Sequence, residues 1–138
     1  MFCGNCGHHI PDTNNFCTKC GSPVSKNFNV AEEKGIFVVT ARVENIDYTN
    51  HGELSSIFAR VLKKRIMIDL AKVTFIDSTG IGTLVTMYYK TVRTKQEIKI
   101  VNVHENVMKA IKSLSVDNVL DIRGSKEEAF GDWGLAML

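Results

Sequence analysis

Past residue 20 the chain has no cysteine: all four lie in the first 20 of its 138 residues. Long apolar runs are missing too. None approaches the ~20 residues a membrane-crossing helix needs. The opening Met1-Phe2-Cys3-Gly4 has neither a basic nor an apolar signal-peptide region, so no secretory leader is expected. Without a targeting segment the expected compartment is the cytoplasm, where thiols stay reduced. Charge of one sign is also lacking. A net +2 is too small to call for a polyanionic partner. The single dense basic run, Lys63-Lys64-Arg65, follows a helical pattern and is read as a solvated helix end. No phosphate-binding Gly-x-x-x-x-Gly-Lys-Ser/Thr loop is present. His51 and His104 fall in predicted loops with no nucleophile beside them, which makes them surface residues or caps. Met87, Met108 and Tyr88 read as packing. The chain is not expected to be an enzyme.

What is present fits a soluble globular protein: 44% apolar and 23% charged residues. The length allows one ordinary domain with a core and a small appendage. The appendage is announced by a repeat. Phe2-Cys3-Gly4-Asn5-Cys6-Gly7 returns fourteen residues later as Phe16-Cys17-Thr18-Lys19-Cys20-Gly21. Each Cys-x-x-Cys turns two sulfurs toward one point, and the glycine after it permits the tight backbone of a knuckle. Cys3, Cys6, Cys17 and Cys20 together supply four thiolates, a set that suits tetrahedral Zn²⁺. Ten residues separate Cys6 from Cys17, enough for a hairpin or loop around Pro11-Asp12. Disulfides are disfavoured by the compartment, a redox Cys-x-x-Cys would open a helix in a βαβ unit, and an Fe–S centre fits this spacing less well. His8 and His9 read as loop residues. This segment resembles the short zinc ribbons of many bacterial proteins. With four protein ligands the metal is expected to be structural, and to hold a segment that cannot bury a core of its own. Residues 22–27 read as a linker.

From about residue 27 strand and helix patterns alternate. Phe28–Ala31 and Ile36–Val43 suggest a hairpin broken at Gly35. Leu54, Ile57, Phe58, Val61 and Leu62 follow a helical stripe, with Thr49 or Asn50 as its cap. A strand at 66–70 comes next. Ile81, Leu84, Val85, Tyr88 and Val92 mark a second helix, Ile98–Val103 a buried strand, and Val107, Ala110, Ile111 and Leu114 a third helix. Val119, Leu120 and Ile122 suggest a last strand, and Lys126–Phe130 a final helical turn. This order predicts an α/β domain with a mixed, mostly parallel sheet, an antiparallel edge and covering helices. The division expected is residues 1–24 for the ribbon, 25–130 for the α/β domain and 131–138 for a tail. The tail is too short to span a membrane; it is expected to fold back or fray, with a docking peptide as the alternative.

Between the strand at 66–70 and the second helix stands Asp77-Ser78-Thr79-Gly80-Ile81-Gly82. Alone it reads as a helix cap, since Asp, Ser and Thr all favour caps. With Asp69-Leu70 and Phe75 ahead of it, it resembles the phosphorylation-site segment of STAS domains, the class that includes bacterial anti-sigma-factor antagonists. The element order over 27–130 is similar as well. One departure is Glu44-Asn45-Ile46-Asp47, which keeps the apolar residue and Asp47 but lacks the glycine that family often has there.

The resemblance implies a phosphoacceptor at Ser78, with Thr79 as the neighbouring fallback. It also implies a partner surface around Asp47, Asp77, Thr79, Gly80 and Gly82. The implied partners are an anti-sigma factor acting as a serine protein kinase, and a serine phosphatase that resets the site. A new anion at a helix start meets the positive end of the helix dipole. Further readings remain: a non-switching scaffold docking a larger complex, with the zinc ribbon as a second contact; nucleotide hydrolysis, for which no catalytic motif is visible; and a nucleic-acid adaptor built on the ribbon. Charge argues against the last. Lys19 and Lys26 against Asp12 leave residues 1–26 at +1, and Zn²⁺ with four thiolates takes them to −1.

Overall fold

The computed structural model describes residues 2–3, 6–11, 16–21, 26–59 and 61–135. The linker residues 22–25, the Asp12 side of the expected ribbon loop and tail residues 136–138 lie outside the described residues.

Two strands open the domain, β1 (Phe28–Glu33) and β2 (Ile36–Ala41), paired antiparallel with Val30 opposite Val39. Lys34 and Gly35 join them with φ of 53° and 79°, the paired positive values of a tight hairpin turn. A two-residue strand β3 (Asn45–Ile46) leads to helix α1 (His51–Ala59). Then come β4 (Arg65–Asp69), β5 (Phe75–Ile76) and the long helix α2 (Ser78–Thr94). Strand β6 (Glu97–Val101), helix α3 (Glu105–Ser113), β7 (Ile122–Arg123) and α4 (Lys126–Asp132) complete the order.

The main sheet runs β1-β2-β4-β6-β7, parallel except for the β1–β2 edge, as the sequence pattern predicts. Alternation along its strands supplies two cores. Val39, Ile66, Ile68, Ile98 and Ile100 meet Leu54, Phe58, Leu84, Met87, Val107 and Ile111 of α1, α2 and α3. Ile36, Val38, Met67 and Val101 meet Ala129 and Phe130 of α4, with Trp133 and Leu135 packed against them. Of the expected tail, residues 131–132 finish α4, and Trp133 and Leu135 beyond it help cover the second face. A central strand buried on both sides explains why β4 reads as a nearly unbroken apolar run.

Several expectations change. Helix α1 ends at Ala59, so Leu62 stands 97% exposed beyond it. The Lys63-Lys64-Arg65 run is not a helix end; Arg65 begins β4 and its Nε lies 3.4 Å from a Glu97 carboxylate. Val92 is 77% exposed, and the buried stripe of α2 runs through Gly80, Ile81, Leu84, Met87 and Thr91 instead. Glu44–Asp47 is no plain loop. Its β3 pairs in parallel with β5, Ile46 opposite Ile76, as a separate two-stranded sheet. Tyr88 does more than pack. Its hydroxyl sits 2.6 Å from the Ile98 carbonyl and 3.0 Å from that of Asp121, and accepts from Asp121 N–H. It thus ties α2 to β6 and to the segment before β7, and burial pushes its phenol well above the ordinary value.

Candidate functional site

The β3–β5 pair positions the turn at the head of α2. Asp77 N–H donates to the Ile46 carbonyl at 3.1 Å, fixing the turn on β3. Asp77 is the N-cap: its Oδ1 accepts from Gly80 N–H at 2.9 Å and from the Thr79 hydroxyl at 2.6 Å. Its Oδ2 accepts from Tyr48 N–H at 3.0 Å, which binds the loop after β3 to the same carboxylate. The Thr79 hydroxyl, followed by the backbone N–H groups of Gly80, Tyr48 and Thr79, holds the Asp77 carboxyl below its usual range. Asp77 is therefore a fixed negative charge at neutral pH.

Ser78 is the first residue of α2 and is exposed. Its hydroxyl makes no hydrogen bond among the described residues, whereas that of Thr79 is committed to Asp77. Of the three cap candidates in this turn, Asp77 takes the role. A group added to Ser78 also finds the Gly80 and Thr79 N–H groups already engaged by that carboxylate.

The two glycines differ in what surrounds them. A Cβ at Gly80 would lie 2.7 Å from Ile76 Cγ1 and 2.9 Å from the Ile46 carbonyl oxygen. Only a residue without a side chain lets α2 start this close to β3. A Cβ at Gly82 would meet nothing within 4 Å. Gly82 faces solvent, one helical turn beyond Ser78.

Asp47 stands half-buried beside this turn and shapes it. Its Oδ1 accepts from Thr49 N–H at 2.9 Å and from the Thr49 hydroxyl at 2.5 Å. Buried Asn50, the residue before α1, accepts from Asp47 N–H at 3.0 Å and donates to the Asn45 carbonyl at 2.8 Å. Sequence reasoning gave Asn50 a capping role and missed this clamp; Asx residues beside a helix start are the signal for it. It also missed Tyr48, and it used Phe75 only as part of the motif; both are exposed aromatics in the segments that flank Asp77. His51 is the first residue of α1, with Nδ1 3.1 Å from the Thr83 hydroxyl, which donates to the Thr79 carbonyl. His104 is the N-cap of α3. Asp69 ends β4 and accepts from Ala71 N–H and Asn102 Nδ2, both at 3.0 Å.

Away from this turn, the four cysteines converge. Their Sγ atoms all lie within 4.8 Å of one another. Cys3 and Cys20 stand 3.6 Å apart and Cys6 and Cys17 3.5 Å, far too long for S–S bonds. A tetrahedral metal with Zn–S bonds near 2.3 Å needs sulfurs about 3.8 Å apart, so the set fits. Lys19 N–H points at Cys17 Sγ from 3.4 Å. The N–H of Cys20, and then that of Lys19, draw the Cys17 thiol below its usual value. For Cys6 the backbone bond to His8 lowers the value, but desolvation and hydrogen bonds to Cys17, Cys20 and Cys3 push it up to about 12. Four thiols this close cannot all ionise without a cation among them, and a divalent metal supplies one. His8 and His9 are exposed and stand outside this cluster.

A family profile for the STAS domain matches residues 27–129. The chain belongs to the STAS family. A zinc-ribbon domain profile matches residues 2–24, over the cysteine cluster. Solved structures share the STAS fold at low identity. An anti-sigma-factor antagonist domain protein from Planctomyces limnophilus is 20% identical, with a TM-score of 0.69 over 78% of this chain and 97% of its own. The anti-sigma factor antagonist SpoIIAA, in its unphosphorylated form, is 13% identical with a TM-score of 0.61, over 80% of this chain and 99% of its own. The mouse anion transporter Slc26a9 is 20% identical with a TM-score of 0.63, over 74% of this chain but only 18% of its own. The STAS domain here thus shares the fold of anti-sigma-factor antagonists. Among the described residues, no helix is long and apolar enough to cross a membrane.

Proposed function

We propose that this chain is a phosphorylation-controlled protein-binding switch of the anti-sigma-factor-antagonist type, with Ser78 as phosphoacceptor. The observation that carries this reading is the contrast between two neighbouring hydroxyls. Ser78 is exposed and unbonded among the described residues, while Thr79 is spent on Asp77. A kinase needs the free one. In this reading the unmodified chain binds an anti-sigma factor that is itself a serine protein kinase, and a serine phosphatase resets the site. Phosphate adds about −1.5 to −2 charges. It arrives beside a carboxylate already ionised and already holding the helix-start N–H groups. Repulsion at that spot penalises a surface that fitted a neutral hydroxyl. Exposed Gly82, Tyr48 and Phe75 give the partner a partly apolar approach around it, with Asp47 and Gly80 shaping the turn beneath.

The organisation that goes with this function is a ribbon at 1–24 holding structural Zn²⁺, a STAS domain at 25–130 and a short tail at 131–138. The protein works in the bacterial cytoplasm and catalyses no reaction. A second reading, a STAS scaffold docking within a larger assembly, draws on the way this fold forms a small part of the mouse transporter. The two separate in one experiment. Incubation with ATP and an anti-sigma-factor serine kinase, followed by mass-spectrometric mapping, should yield one phosphate on Ser78. Phosphate mainly on Thr79 would refute the site, and no modification at all would favour the scaffold.

A further inference from the structure

Phe2 and Phe16 hold equivalent places in the repeat, each directly before the first cysteine of a knuckle. Their surroundings are not equivalent. Phe16 is 60% exposed, whereas Phe2 is partly buried and packs against the main core of the STAS domain. Its N–H donates to the Val30 carbonyl at 2.9 Å. β1 is the outermost strand on that side of the sheet, so this bond falls on an edge that no strand of the sheet covers. A cleft of about 340 Å³ runs between the two parts, with Phe2 and Cys6 on the ribbon side and Val30, Phe37, Val61 and Leu62 facing them.

The ribbon holds Phe2 from behind. The Phe2 ring meets His9 edge-on with centroids 5.3 Å apart, in an antiparallel bridge between the two residues. Cys3 N–H donates to the His8 carbonyl at 2.8 Å. Cys3 is both the neighbour of Phe2 and one of the four converging thiols. Whatever fixes Cys3 fixes the backbone of Phe2, one peptide unit away.

We infer that metal occupancy of the ribbon controls the β1 edge through Phe2. Loaded, the ribbon docks as a cover over β1 and its cleft. Unloaded, a segment too short to hold its own core loses its shape and lets go. The outer edge of β1 is then open to solvent. The coupling is reciprocal: a substitution that undocks the ribbon weakens metal binding by the factor by which metal strengthens docking. The inference rests on the four thiols being a metal site, and its test separates the two claims.

The test is amide hydrogen exchange over residues 28–33 in the full chain, zinc-loaded and chelated, with zinc content measured on each sample. Wild type, Phe2→Ala and Phe16→Ala are compared. On chelation of the wild type, exchange in β1 should rise about tenfold or more, while central β4 keeps its protection. Zinc-loaded Phe2→Ala should exchange like the chelated wild type although it still binds one zinc. Zinc-loaded Phe16→Ala should behave as wild type. One bound zinc with β1 exchange indifferent to its removal overturns the coupling, as does wild-type protection in loaded Phe2→Ala. Failure to bind zinc at all overturns the metal reading, and the coupling with it.

Discussion

Replacing Gly80 and Gly82 by alanine, one at a time, should move stability in opposite directions. Both sit in the first turn and a half of α2, so helix propensity favours alanine at each by up to ~1 kcal/mol. Space decides the rest. At position 80 the new methyl would lie 2.9 Å from the Ile46 carbonyl oxygen and 2.7 Å from Ile76 Cγ1. The oxygen is backbone and cannot swing away. Relief requires α2 to back off from the β3–β5 pair, straining the Asp77 N–H bond to that same carbonyl. Overpacking of this kind costs ~1–3 kcal/mol, which exceeds the propensity gain. At position 82 nothing opposes the methyl, and Gly82→Ala should stabilise by ~0.5–1 kcal/mol. Urea unfolding followed by far-UV circular dichroism reads both, and 1 kcal/mol corresponds to roughly 3–5 °C in Tm for a chain of this size. A neutral Gly80→Ala would refute the close-approach argument. A destabilised Gly82→Ala would refute the open-surface one. If Gly82→Ala is more stable yet binds the partner less well, the glycine serves approach and not folding.

Three further perturbations probe other parts. Tyr88→Phe removes a hydroxyl that serves the Ile98 and Asp121 backbones, and should cost ~1–3 kcal/mol in the same urea assay; a cost near zero would mean those groups find other partners. Asp77 has a folded pKa below its unfolded one, so its contribution is complete above the ordinary carboxylate range and is lost as pH falls through the depressed value. Stability measured from neutral to acid pH should lose that component in Asp77→Asn, and Asp77→Ala should cost ~1 kcal/mol at neutral pH. Metal analysis should find about one zinc per chain, less in Cys17→Ser, and chelation should spare the STAS core; global unfolding on chelation would contradict the two-part organisation.

Much of the fold was legible because its signals are local. β4 and β6 are apolar runs bounded by turns, and α2 and α3 keep a helical period. The cysteine repeat is periodic in the sequence itself. What escaped depends on contacts between distant segments. β3 and β5 are two residues each, too short for any periodicity, and exist because Ile46 and Ile76 are brought side by side. Leu62, Val92 and Leu114 extend apolar stripes in sequence yet stand exposed, since helix ends and neighbouring elements decide how much of a stripe is covered. The candidate site divides the same way. Asp77-Ser78-Thr79-Gly80 was readable as a turn at a helix start. That Asp77 takes the cap and the Thr79 hydroxyl, leaving Ser78 free, required the geometry.

The central claim is that charge on Ser78, not its contribution to folding, governs binding. Titration calorimetry of the proposed anti-sigma-factor kinase against wild type, phosphorylated wild type, Ser78→Ala and Ser78→Asp tests it directly, with unfolding of each form measured alongside. Because Asp77 provides the cap, Ser78→Ala should stay within ~0.5 kcal/mol of wild-type stability and bind persistently. Ser78→Asp should fold yet bind more weakly, and the phosphorylated chain more weakly still, since one charge is less than a phosphate carries. Equal affinity for the phosphorylated and unmodified chains would contradict the switch and leave a docking role in its place.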